Sequence, residues 1–190
     1  LLAYNERVRL NVRPVDDETL CAAFSRVEAA RQQTGVALTY FEFGTLAAWE
    51  VFAAACVEAA ILEVGLGGRL DAVNAYEPDV SIVTTVDLDH TDWLGPDRES
   101  IGFEKAGIYR SGKPALCAYP QPPHSLLDHA AAIGADLRLL GREFRWLRGL
   151  LSARQGVESN PDKGQTKQHR RCDQFLLLVS ALASSHIRTP

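Results

Sequence analysis

Apolar and polar positions along this chain fall into short blocks whose period changes from one block to the next. Arg7 to Val12 reads as a short extended stretch. A helix is expected from Asp16-Asp17-Glu18, where acids in the first turn meet the positive end of the helix dipole. Leu46, Trp49, Phe52, Ala53 and Cys56 recur at helical spacing, which predicts a helix from Leu46 to Ala60. The pattern then changes. Ala60 to Val64 is an apolar run broken only by Glu63, as in a short buried strand, and Gly65, Gly67 and Gly68 close it. Val80 to Val86, Lys113 to Ala118 and Asp136 to Leu140 predict further strands, and Asp128 to Ile133 predicts a helix ended by Gly134. Strands alternating with helices imply an α/β fold with a parallel sheet.

From about Leu147 the character shifts. Acids outnumber Lys and Arg before that point, and Lys and Arg dominate after it. Gln155 to Gln174 is polar, without helix or strand period, and is expected to be disordered. The chain is therefore divided into residues 1–146, one partial domain, and an unassigned basic tail at residues 147–190. The opening Leu-Leu-Ala-Tyr and the lack of any methionine imply a piece of a longer protein.

Composition narrows the class. With 46% hydrophobic and 23% charged residues, a globular core is affordable. A net charge of -4 gives no electrostatic footprint for nucleic acid or an anionic membrane. Glu50 and Glu58 interrupt the longest apolar stretch, so no transmembrane span is expected, and no segment reads as a signal peptide with a basic start and an apolar middle. Cys21, Cys56, Cys117 and Cys172 are scattered without a paired spacing, which reads as reduced thiols in a cytoplasmic protein.

Four segments carry candidate chemistry. Glu63 places a carboxylate in an apolar strand, which is costly unless paired or metal-bound, and the glycines after it permit close backbone approach to a ligand. Asp87, Asp89 and Asp92 surround His90 directly after the second strand, a set suited to a hard cation or to a His held by a carboxylate. Lys105 lies among apolar and small residues, where burial would favour a neutral, nucleophilic amine. Thr39-Tyr40-Phe41-Glu42 offers aromatics for core packing or for stacking on a flat heterocycle. Taken singly, each segment also has an ordinary structural explanation: a salt-bridged strand end, a capped turn, a snorkelling lysine, a core aromatic.

In order, the segments YNERVRLN, TYFEFGTLAAWEVF, ILEVGLGGRLDAVN and LDHTDWLGPDRESIGFEKAGIYRSGKPA resemble the bifunctional dihydrofolate synthase/folylpolyglutamate synthases of the Mur ligase superfamily, bacterial type. The likeness runs from about Tyr4 to Trp146. It implies a partial Mur-ligase-type ATPase domain, P-loop NTPase-like. The phosphate-loop segment and the glutamate-binding C-terminal domain of that family have no counterpart in this sequence. The implied activity is ATP-dependent joining of L-glutamate to dihydropteroate and to the γ-carboxylate of folates through an acyl phosphate. Mg2+ is the implied cofactor and ATP a substrate, in a monomeric parent.

By matching motif, the resemblance makes Glu63 and His90 magnesium ligands and Lys105 a carbamylated lysine. It makes Thr39, Tyr40, Phe41, Glu42, Leu70, Asp71 and Ala72 the dihydropteroate-binding residues. Val73 stands where the family has Thr, and Phe103 where a polar residue is common. The family pattern stops abruptly after Trp146, so a linker, a terminal extension or a change of reading frame are the readings for the tail, the last being favoured. Alternatives stay open: another Mur-type amino-acid ligase, which TYFEFGTL and RLDA weigh against, or a non-catalytic remnant. The chain alone is expected to lack ligase activity.

Overall fold

A computed structural model of the chain describes residues 2–145 and the backbone of one further strand at Phe175–Ser180. The expected disorder at Gln155 to Gln174 lies outside the described residues. The first turn, Tyr4–Arg7, is 3-10 helical, and strands β1 (Arg9–Leu10) and β2 (Arg13–Pro14) pair antiparallel behind it. The extended stretch expected at Arg7 to Val12 is thus a tight hairpin, whose tip residues Asn11 and Val12 take φ of 50° and 69°.

Helix α1 (Asp17–Thr34) starts where the acids predicted it: the Asp16 carboxylate accepts from Thr19 N–H at 2.8 Å, and Gly35 closes the helix at φ 67°. Helix α2 covers Tyr40–Ala54, not Leu46 to Ala60. A capping box sets its start: Thr39 Oγ1 accepts from Glu42 N–H, and the Glu42 carboxylate accepts from Thr39 N–H. Its end comes before Cys56, whose left-handed φ of 47° releases the chain toward β3 (Ala59–Glu63).

After β3 come a 3-10 turn at Ala72–Ala75, β4 (Val80–Val83), the single turn α3 (Thr91–Leu94), α4 (Arg98–Ala106) and β5 (Pro114–Cys117). Helix α5 (His124–Ile133) begins earlier than the expected Asp128 because the Glu99 carboxylate accepts from the His124 and Ser125 amides. Strand β6 (Asp136–Leu139) follows, and β7 is Phe175–Ser180.

The larger sheet has the order β3-β7-β4-β5-β6, every adjacent pair parallel, in agreement with the expected α/β class. Strand β7, which sequence reasoning left within the unassigned tail, lies between β3 and β4. Alternate residues of β4 and β5 are buried (Ser81 and Val83, Ala115 and Cys117), and the core adds Val51 and Phe52 of α2, Ile101 of α4, and Leu126 and Ala130 of α5. Cys21, Cys56 and Cys117 are free thiols. Among the described residues no helix is long and apolar enough to cross a membrane.

Ile101 is 1% exposed and seats α4 in the core. Ile101→Ala is expected to lower unfolding free energy by about 2–5 kcal/mol in a urea titration. A loss below about 1 kcal/mol would contradict this packing.

Candidate functional site

The loop after β3 is organised by a single carboxylate. Asp71 accepts from the amides of Gly65 (3.1 Å), Leu66 (3.0 Å) and Val73 (2.9 Å), folding the glycine-rich segment back on itself. Burial pushes the Asp71 carboxyl above its usual range, against the pull of those three amides. Absence of a side chain at Gly65 is required, since a Cβ there would lie 2.7 Å from the Phe41 ring.

The folded loop then docks on the end of α4. Arg69 N–H donates to the Glu104 carbonyl at 2.8 Å, and the Arg69 guanidinium pairs with the Glu104 carboxylate at 2.8 Å. Asn74 Nδ2 donates to the carbonyls of Arg69 and Gly107, and Arg110 Nη2 donates to both the carbonyl and Oδ1 of Asn74. Asn74 and Arg110 thereby interlock the loop after β3 with the segment that carries Lys105.

This docking creates a cleft of about 380 Å³ lined by Thr39, Phe41, Glu42, Leu70, Asp71 and Ala72. Two predicted segments far apart in sequence thus share one site. Sequence reasoning missed Leu66, Arg69, Trp93, Leu94 and Glu104, which complete the lining. Trp93 is 80% exposed, and an indole held in water beside a cleft is a signal that only the fold reveals. Tyr40 is not in this lining. It stands 70% exposed, edge-on to Tyr4 with ring centroids 5.8 Å apart.

Glu63 ends β3 exposed and faces an adjoining cleft of about 520 Å³, which shares Phe41 with the first and adds Tyr4, Tyr40 and Gly65. His90 follows β4 with φ 52°, a left-handed backbone uncommon outside glycine. Asp89 shapes that turn, accepting from His90 N–H at 2.8 Å, with its other oxygen 3.6 Å from His90 Nε2. Among the described residues no three His, Cys, Asp or Glu gather closely enough to hold a metal ion by themselves. Lys105, 3% exposed, is buried in α4; desolvation draws its ammonium below the ordinary lysine value, and the charge of Asp89 opposes that shift.

No protein-family profile matches the chain. Individual proteins do. The chain is 50% identical over 146 residues to the dihydrofolate synthase/folylpolyglutamate synthase of Escherichia coli, covering 77% of this chain and 34% of that protein. It is 43% identical over 147 residues to the same enzyme of Haemophilus influenzae, covering 77% and 32%. The solved structure of E. coli FolC in complex with DHPP and ADP matches at TM-score 0.73 and 50% identity, over 76% of this chain and 34% of that one. The matched part of this chain belongs with the dihydrofolate synthase/folylpolyglutamate synthases. It spans about a third of the length of those relatives. Another member of the family, from Yersinia pestis, has been solved with AMPPNP and Mn ion, at TM-score 0.70 and 50% identity over 74% of this chain and 34% of that one.

Because the folded state lowers the Lys105 pKa, it binds fewer protons than the unfolded chain between that value and the ordinary 10.5. The contribution of this group to stability is expected to rise with pH through this window and to be flat below it, where both states carry the proton. Urea titrations should show a steeper rise for the native chain than for Lys105→Met. Identical slopes would contradict burial of the amine.

Proposed function

We propose that this chain supplies the pterin-binding and cation-binding part of a cytoplasmic ligase that joins L-glutamate to dihydropteroate, and to the γ-carboxylate of folates, through an acyl phosphate made with ATP. The observation that carries this reading is the convergence of Thr39–Glu42 and Leu70–Ala72 on one cleft beside the end of β3. Residues 1–146 form the partial domain in this reading, and every candidate ligand residue lies within them.

The flat pterin suits the Phe41 ring, which is backed by the Gly65 backbone. Thr39 and Glu42 supply polar edges, though part of their hydrogen-bonding capacity is committed to the α2 cap. Asp71 acts chiefly by holding the loop in shape, leaving Leu70 and Ala72 to meet the ligand.

Glu63 and His90 offer one hard oxygen and one imidazole. The carboxylate suits Mg2+ that keeps most of its shell as water and phosphate oxygens, and the imidazole, an uncommon magnesium donor, joins it on the family resemblance. Such a cation, when bound, offsets charge on the transferred phosphoryl group. The buried Lys105 amine is suited to carbamylation: the ammonium first gives up one proton, the neutral Nζ then bonds to the carbon of carbon dioxide and releases a second, and a cation has become a carbamate anion.

Residues 1–190 contain no glycine-rich loop ending in Lys and Ser/Thr of the kind that cradles ATP phosphates. The chain by itself is accordingly expected to bind dihydropteroate without ATP-dependent turnover. Calorimetric titration with 7,8-dihydropteroate should show binding that Phe41→Ala weakens about tenfold and Tyr40→Ala leaves nearly unchanged. Equal losses from both variants, or none from Phe41→Ala, would remove the cleft as the pterin site. Glutamate ligation by the purified chain would overturn the expected lack of turnover.

A further inference from the structure

Trp93 and Leu70 are each 80% exposed, and both line the cleft that contains Phe41. One apolar side chain in water needs no explanation, but two large ones on the rim of a single concave site mark a ligand-binding groove. Pterin contact at Phe41 leaves the Trp93 indole without a duty. Trp49, by contrast, is committed inside the fold, stacked on Tyr76 with ring centroids 4.5 Å apart.

The backbone beneath Trp93 is fixed. In the single turn α3 the amides of Trp93 and Leu94 both donate to the His90 carbonyl, at 2.9 and 3.0 Å. On one side Leu94 packs on the glycine loop, where a Cβ at Gly67 would lie 2.8 Å from Leu94 Cδ2. On the other side Gly95 takes φ 106°, and a Cβ there would meet the Ser100 side chain of α4. The turn therefore sets where the indole starts, while the exposed ring keeps its rotamer freedom.

The cleft is divided in character. Phe41, packed on Gly65, shares the start of α2 with Thr39 and Glu42, which offer hydrogen-bonding edges. Trp93 enters from the Gly67 side together with Leu94. The charged pair at that end is satisfied within itself: Arg69 Nη2 lies 2.8 Å from Glu104 Oε1, and the guanidinium carbon lies 5.7 Å from the Phe103 ring centroid. Gly65 and Gly67 are two residues apart, so at most about 7 Å of chain separates the two ends. A pterin, edged with donors and acceptors, suits the Phe41 end. An apolar ring joined to it by a short link reaches the Trp93 end.

We propose that Trp93 is the second aromatic wall of the cleft and the residue that selects ligands carrying an aryl ring beyond the pterin. The indole stacks on the aminobenzoyl ring of dihydropteroate while Phe41 holds the pterin. That aryl ring bears the carboxylate to be activated. Trp93 thus places the reacting group on the same turn that carries His90, the candidate cation ligand. This inference rests on the pterin reading of the cleft.

Two measurements on the full chain test it. In calorimetric titrations with 7,8-dihydropteroate, Trp93→Ala should weaken binding about tenfold, and Trp93→Phe, which keeps a π face, should recover most of the loss. In fluorine NMR of the chain labelled with 5-fluorotryptophan, the resonance that disappears in Trp93→Phe should shift on adding dihydropteroate. It should stay in place on adding 7,8-dihydropterin, which lacks the aryl ring. Unchanged affinity in Trp93→Ala alongside a loss in Phe41→Ala would overturn this inference and leave the pterin reading standing. No loss in either variant would remove both. Equal shifts of the Trp93 resonance with the two probes, or no recovery in Trp93→Phe, would overturn selection through aryl stacking.

Discussion

The candidate site depends on the docking of the loop after β3 against the end of α4. One backbone hydrogen bond, from Arg69 N–H to the Glu104 carbonyl, sets the approach. The approach is close: at Gly68 a Cβ would come within 2.9 Å of that same carbonyl. Asn74 and Arg110 then lock the two segments side chain to backbone and side chain to side chain. Loss of this contact would pull Leu70–Ala72 away from Thr39–Glu42 and separate the loop after Glu63 from the helix that buries Lys105. The interlock also explains why an asparagine and an arginine, neither of them assigned a role by the motifs, stand where they do.

Much of the local structure was legible, because it follows from local chemistry. The start of α1 at Asp16 and its end at Gly35 obey capping rules that act within four residues. The start of α2 was open to the same reasoning, since Thr39-x-x-Glu42 is a capping box. The apolar spacing from Leu46 onward drew the helix too far along the chain, and the left-handed turn at Cys56 leaves no mark in an alanine-rich sequence. Strand β7 was illegible for a different reason: a six-residue apolar run carries no sign of which strands it will lie between.

The candidate site was legible as segments and not as geometry. Motif order marked Thr39–Glu42, Glu63, Leu70–Ala72, His90 and Lys105 as candidates without giving their surroundings. Tyr40 leaves the cleft, Asp71 holds a loop, and Trp93 enters the lining from the turn after His90. Backbone amides are the donors that shape the glycine loop, and they have no residue signature to read. The burial of Lys105 likewise depends on how α4 packs, which its neighbours in sequence do not specify.

The most direct test of the interlock is a double-mutant cycle between Asn74 and Arg110, read by urea titration. Asn74→Ala, Arg110→Ala and the double variant are expected to give an interaction energy of about 1–3 kcal/mol, because the two residues share one hydrogen-bonded network. Energies that add within about 0.5 kcal/mol would contradict the account and leave the loop and the helix as neighbours without a common lock.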